Sequence, residues 1–163
     1  MNPSMMRVGT GYDCHMLVTG RKLVLAGVEV PFQRGLEGWS DGDAATHAVI
    51  DALCGAADLG DIGSLFPDAD ERYRNVSSLR LLEEVGEMVR EKGMQVGNVD
   101  LTILADRPAV STFFPQMRAA LAEALHVDDH QVTVKAATGN KLGFVGRGEG
   151  IAAQAVALVL VTY

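Results

Sequence analysis

The chain has 163 residues, and its 14 Lys and Arg against 21 Asp and Glu leave a formal net charge of −7. That balance excludes a nucleic-acid backbone as the main partner, because such binders cluster basic residues, but it allows a phosphorylated small molecule held by metals and backbone amides. Hydrophobic residues at 48% and charged residues at 21% describe a folded globular chain, long enough to bury a core without disulfides.

Along the chain, residues 7–15 read as a strand through Val8, Thr10 and Tyr12, loosened by Gly9 and Gly11. Residues 22–31 carry Leu23, Val24, Leu25, Val28 and Val30 and predict a hairpin turned at Ala26-Gly27. A helix is expected over 42–57, with Ser40 or Asp41 as its N-cap. The clearest helix spans 77–92, where Leu79, Leu82, Val85, Met88 and Val89 recur at helical spacing between Ser77 and Gly93. A strand over 96–105, a helix over 114–125 with Pro115 in its first turn, a strand over 132–136 and an apolar strand from Ile151 complete the order. Strands alternating with helices predict one α+β domain over 1–163, a two-layer α/β arrangement. A mixed four- or five-stranded sheet would carry helices on one face, with residues 1–5 as a disordered extension. Residues 1–6 lack the blocks of a leader peptide, and residues 151–161 are too short to span a bilayer. Cys14 and Cys54 are too few for a disulfide framework, so the expectation is a cytoplasmic protein with no membrane partner.

Chemistry concentrates at Asp13-Cys14-His15. On a strand, Asp13 and His15 share a face while Cys14 points away, giving two ligands of an open zinc site. Alone, an Asp-x-His pair is common. His47, inside the alanine-rich helix, supplies a third ligand type, and Asp51 one turn on is placed to orient its ring. Cys54 lies two turns from His47, too far to share a metal. His126 and His130 read as a solvated helix end. Residues 60–68, Gly60-Asp61-Ile62-Gly63-Ser64-Leu65-Phe66-Pro67-Asp68, suit a polyol, and an exposed Phe66 there would be hard to explain in a plain surface loop. Residues 137–150 offer hydroxyl, amide and backbone groups near Lys141 and Arg147, suited to phosphate oxygens.

In this order the pieces resemble the 2-C-methyl-D-erythritol 2,4-cyclodiphosphate synthase family of the non-mevalonate isoprenoid pathway. The resemblance runs from Arg7-Val8-Gly9-Thr10-Gly11-Tyr12-Asp13-Cys14-His15 through Ser40-Asp41-Gly42-Asp43 with His47, Gly60-Asp61-Ile62-Gly63 and Phe66-Pro67-Asp68. It continues through Gly97-Asn98-Val99-Asp100, Lys135-Ala136 and Lys141-Leu142-Gly143-Phe144 to Gly146-Arg147-Gly148-Glu149-Gly150. It implies a homotrimer with active sites between subunits. Zn2+ would sit on Asp13, His15 and His47, with Mg2+ or Mn2+ on the substrate diphosphate. It assigns the methylerythritol phosphate to Ser40, Asp61, Ile62, Gly63, Phe66, Pro67, Asp68 and Asp70, and the substrate phosphate region to Phe144 and Arg147. The cytidine diphosphate falls to Ala105, Asp106, Arg107, Pro108, Ala109, Val110 and Ser111 with Ala137, Thr138, Gly139 and Asn140. The implied reaction is attack of the substrate's 2-phosphate on its β-phosphorus, with CMP leaving and Thr138 beside the diphosphate. Three positions depart from the family pattern: Trp39 stands for a His that stabilises the transition state, Ala109 for a Lys, and Asn140 for a Glu at the second metal. The other readings are a metal-dependent phosphohydrolase on a nucleotide-linked substrate and a non-catalytic trimeric binder of nucleotides or isoprenoid phosphates.

Overall fold

A computed structural model describes residues 5–161. The extension expected over 1–5 lies, apart from Met5, outside the described residues; the Met5 carbonyl accepts from the Val161 amide at 2.8 Å. The elements run β1 (Met6–Thr19), β2 (Leu23–Leu25), β3 (Val28–Val30), β4 (Arg34–Leu36), α1 (Ala44–Ala57), α2 (Ile62–Leu65), α3 (Ser78–Glu91), β5 (Met94–Leu104), α4 (Phe114–Leu125), β6 (Val132–Ala137), α5 (Gly143–Gly146) and β7 (Gly150–Val161). The mixed sheet has five strands in the order β4-β1-β7-β5-β6, with β5 and β6 parallel and the other neighbours antiparallel. β7 is central, with a strand paired on either side; Ile151, Ala153, Ala155, Ala157 and Val159 are wholly buried on one face, while Gln154 and Val156 on the other stay exposed.

The first strand is longer than expected, because its far end pairs with β4, a three-residue strand that lacks a period-2 pattern of its own. The hairpin is as read: Ala26 and Gly27 both take positive φ, 48° and 76°, and β2 pairs with β3 as a separate two-stranded ribbon. α1 is capped by neither Ser40 nor Asp41. Asp43 caps it instead, accepting from the Thr46 amide at 3.0 Å, because the Ser40 and Asp41 side chains are turned to His47 and Ser78. The Asp43 carboxylate is fully buried and also accepts from the Ala26 and Gly27 amides at 2.8 and 2.7 Å, tying the hairpin turn to the helix start.

The helices cover one face of the sheet. Gly9 and Gly11 on that face let α1 lie on β1 backbone to backbone: a Cβ on Gly11 would stand 1.9 Å from the Ala48 carbonyl oxygen. Alanines on the facing side of α1 permit the same approach, and Ala48, Ala52 and Ala56 are wholly buried there. On the other sheet face Val8, Tyr12 and Met16 of β1 remain more than half exposed, with Val156 of β7 partly so. Among the described residues no helix is long and apolar enough to cross a membrane.

Candidate metal centre and substrate cleft

The close seat of α1 brings His47, in its first turn, beside the end of β1. Strand alternation does the rest. Odd-numbered β1 residues face the helices, so Asp13 and His15 both turn toward His47 while Cys14 points outward. Asp13 Oδ2 lies 2.7 Å from His15 Nε2 and 3.0 Å from His47 Nδ1, and the two ring nitrogens are 3.4 Å apart. Ligand atoms at ~2.0–2.1 Å from one tetrahedral zinc stand about 3.3 Å from one another, close to this spacing.

The outer partners fix which nitrogens are bare. His15 Nδ1 donates to the Glu37 carbonyl, leaving Nε2 as the lone-pair atom. His47 Nε2 lies 2.8 Å from Ser78 Oγ and 3.1 Å from Ser40 Oγ, and Ser78 Oγ donates onward to the Asp41 carboxylate. With Nε2–H donated to Ser78, His47 Nδ1 is bare as well. Three lone-pair atoms thus converge on one point, which suits a cation, and the residues fit a divalent metal with an open side toward the cleft. Burial alone would raise the Asp13 carboxyl; with no metal bound, protons shared from His15 Nε2 and His47 Nδ1 hydrogen-bond to it and hold it at about 2, and a metal would take the place of those protons. For His15, burial disfavours the charged ring, and the hydrogen bond and charge of Asp13 outweigh it and raise its pKa.

Asp51 does not orient His47. Its carboxylate accepts from the Ile62 amide at 2.8 Å, at the start of α2, and the serine pair does the orienting instead. A helix repeat places Asp51 on the His47 side, but the chain returning at residue 62 claims it. Cys54 is buried with its thiol pushed up to about 12 by that burial and by the Asp51 and Asp61 charges, and it takes no part in the centre. His126 and His130 are both exposed, as read.

A cleft of about 280 Å³ opens over Asp13, His15 and His47, walled by Gly38, Trp39, Ser40, Ile62, Gly63, Phe66, Asp68 and Tyr73. Phe66 is buried, not exposed, edge-on to Tyr73 at 5.3 Å, so it serves as wall rather than as an unexplained surface ring. Asp61 caps α2 through the Ser64 amide at 2.8 Å, outside the lining. Pro67 and Asp70 also stand behind the wall, the Asp70 carboxylate being held by Arg72. The Trp39 indole N–H is spent on the Asp70 carbonyl, 3.0 Å away.

A second concavity of about 250 Å³ gathers Ala105, Asp106, Pro108, Ala109, Val110 and Ser111 with Ala136, Ala137 and Thr138. Arg107 turns to a neighbouring hollow with Phe32 and Arg34. Gly139 and Asn140 lie beyond the lining, where Thr138 Oγ1 donates to Asn140 Oδ1 at 3.1 Å. Phe144 and Arg147 line a third hollow of about 580 Å³ with Cys14 and Met16, one that the residue pattern had not tied to β1. Sheet register explains the grouping: Cys14 pairs with Ala152, Ala152 with Leu104, and Leu104 with Ala137. Metal centre and second concavity therefore share one end of the sheet, about 10–15 Å apart at ~4.8 Å per strand. Sequence reasoning missed Ser78 and Glu37, which lie 31 and 22 residues from the rings they meet, and Tyr73, which meets Phe66 across the loop; no local pattern marks any of them.

The family model for the YgbB family matches residues 6–160. The protein named 2-C-methyl-D-erythritol 2,4-cyclodiphosphate synthase from Desulfitobacterium hafniense is 53% identical over 152 residues, covering 93% of this chain and 96% of its own. The structure of the bifunctional IspDF from Campylobacter jejuni superposes with a TM-score of 0.94 at 38% identity, over 98% of this chain and 43% of that longer one. The CDP complex of IspF from Plasmodium falciparum gives 0.85 at 29% identity, over 97% of both chains. A matched family model over nearly the whole chain makes this chain a member of the YgbB family, and it is similar over nearly its whole length to relatives named 2-C-methyl-D-erythritol 2,4-cyclodiphosphate synthase, with the same fold as the solved structures.

Proposed function

We propose that this chain converts 4-diphosphocytidyl-2-C-methyl-D-erythritol 2-phosphate to 2-C-methyl-D-erythritol 2,4-cyclodiphosphate with release of CMP, a phosphorus–oxygen lyase acting in the cytoplasm. The observation that carries this reading is the convergence of Asp13 Oδ2, His15 Nε2 and His47 Nδ1 at the floor of a cleft on the same sheet end as the 105–111 concavity. Relatives of the same name at 53% identity support it. In the reaction an oxygen of the 2-phosphate bonds to the β-phosphorus, and the bond from that phosphorus to the α-phosphate oxygen breaks, its electron pair leaving with CMP.

Bringing two anionic phosphates together requires positioning and charge neutralisation, not a protein nucleophile. Asp13, His15 and His47 would hold Zn2+, and Mg2+ or Mn2+ would ride on the diphosphate. When bound, these ions supply Lewis acids for the attacked and leaving phosphates. Ser40, Ile62, Gly63, Phe66 and Asp68 bound the methylerythritol part and exclude water from it. Residues 105–111 with Ala137 and Thr138 hold the cytidine diphosphate, the Thr138 hydroxyl trading Asn140 for a phosphate oxygen.

The assembly we propose is a homotrimer, supported by the exposed apolar face of the sheet at Val8, Tyr12 and Met16. Light scattering that returned a monomer mass at micromolar concentration would contradict that part. Incubation with the CDP-linked substrate and divalent metal, followed by phosphorus NMR, tests the activity. Cyclic diphosphate and CMP are expected, and their loss in His47→Ala together with bound zinc. Release of inorganic phosphate would instead mark a phosphohydrolase, and binding without turnover a non-catalytic protein.

A further inference from the structure

The loop between α2 and α3 forms one wall of the cleft, yet it contains only a short 3-10 turn, Glu71–Tyr73, to stiffen it. The segment opposite, residues 38–41, is firmly held. Arg21 donates to the Gly38 and Ser40 carbonyls at 3.0 and 2.8 Å. Between those two anchored residues sits Trp39, the sole tryptophan of the chain. Its indole N–H donates to the Asp70 carbonyl at 3.0 Å, and its own carbonyl accepts from the Asn75 amide at 2.8 Å. The Arg74 guanidinium lies over the ring, 5.1 Å from its centroid. Asp70 O also receives the Tyr73 amide at 3.0 Å, so both lone pairs of one carbonyl join the indole to the turn that carries Tyr73.

We propose that Trp39 is a positioning residue: it latches the loop over 66–76 to the anchored 38–40 segment and thereby sets the affinity of the cleft for its substrate. This rests on the reading of the cleft as the substrate site. The indole lines the cleft and spends its only polar hydrogen on the wall. Phe66, Asp68 and Tyr73 are consequently held in place before any ligand arrives, and the cleft keeps its depth without ligand-induced ordering.

Hydrogen exchange on the full chain without ligand tests the latch. Trp39→Phe keeps a ring for Arg74 and loses the N–H, so amides of residues 68–76 should exchange roughly five-fold faster, as for loss of one hydrogen bond. Arg74→Ala should act in the same segment, and Trp39→Ala more strongly than either, while α1 and β7 stay protected. With the CDP-linked substrate, Trp39→Phe should raise KM more than it lowers kcat, and in the unsubstituted protein substrate should shift the emission of this lone tryptophan. Unchanged loop exchange in both Trp39→Phe and Arg74→Ala overturns the latch. Faster exchange spread equally over α1 and β7 in Trp39→Phe overturns it too, since the indole would then prop the whole fold. Faster loop exchange with an unchanged KM overturns the positioning role. Absence of turnover by the unsubstituted chain would sink the catalytic reading instead, and the exchange data alone would then decide the latch.

Discussion

Replacing Gly11 by alanine should loosen the metal centre without touching a ligand. The added Cβ would stand 1.9 Å from the Ala48 carbonyl oxygen and 2.7 Å from the Ala52 amide nitrogen, both backbone atoms that no rotamer change can move. Carbon and oxygen in contact settle at ~3.3–3.6 Å, so α1 must lift from β1 by roughly 1.5 Å near that point. His47 adjoins Ala48 in sequence and would be carried away from Asp13, from which it is now 3.0 Å. Overpacking of this kind costs about 1–3 kcal/mol of stability. A misplaced ligand should cost zinc affinity on the order of 10- to 100-fold, as loss of an orienting partner does. Gly9→Ala is the control. Its Cβ meets Ala52 O at 2.0 Å and Ala56 N at 2.4 Å, further along α1, so it should destabilise comparably and weaken zinc less. Competition with a chromophoric chelator, paired with urea unfolding, separates the two effects. Native zinc affinity in Gly11→Ala, with stability within about 0.5 kcal/mol of the parent, would refute the link between glycine packing and ligand placement.

Asp43→Asn should lower stability by about 2 kcal/mol with an unchanged denaturant slope, because either amide orientation sets an N–H against the Ala26, Gly27 or Thr46 donors; an unshifted urea midpoint would contradict this. The metal-free protein should be most stable in mild acid. Asp13, held at about 2 against an ordinary 3.8, contributes above that ordinary value and loses its contribution as pH falls toward 2. His15, raised from an ordinary 6.5, contributes fully below 6.5 and loses its share as pH rises through its elevated value. Zinc affinity needs bare Nε2 and should climb with pH over that second range, so flat thermal unfolding of the metal-free protein from pH 4 to 8 would count against the cluster. Asn140→Glu should reduce the Mg2+ or Mn2+ needed for half-maximal rate, at a stability cost of about 1 kcal/mol, because residue 140 sits at a φ of 50° that suits asparagine. An unchanged metal requirement would remove residue 140 from the second ion.

The sequence made the centre legible where periodicity and chemistry coincide. Strand alternation at Asp13 and His15 needs only local geometry, and His47 was conspicuous among alanines. The hairpin at Ala26-Gly27 was legible for the same reason, since a two-residue turn states its own conformation. Asp51 misled because helical spacing says which residues share a side but not which returning chain will claim them. The Asp43 cap was hidden by a cluster of four adjacent cap-competent residues, Ser40 to Asp43, which only the tertiary partners Ser78 and Ala26 sort out. β4 was invisible, being three residues whose strand character comes wholly from its neighbour β1. Phe66 stood out as hard to explain in a plain surface loop, but the partner that buries it, Tyr73, lies across the loop and no local pattern names it.

The pairing of β1 with β7 governs when the centre can exist at all. Met6 faces Leu160 and Met16 faces Gly150, so the first long strand of the sheet finds its central neighbour only at the far end of the chain. Closing that span is slow relative to helix formation, and it comes late during synthesis. Until β7 is available, β1 has only the three-residue β4 to lie against, and α1 has no flat surface on which its alanines can settle. Asp13 and His15 would then wander independently of His47. A nascent chain should accordingly hold zinc no better than free histidines do, and loading with metal becomes a late event, coincident with the last strand slotting into the middle of the sheet.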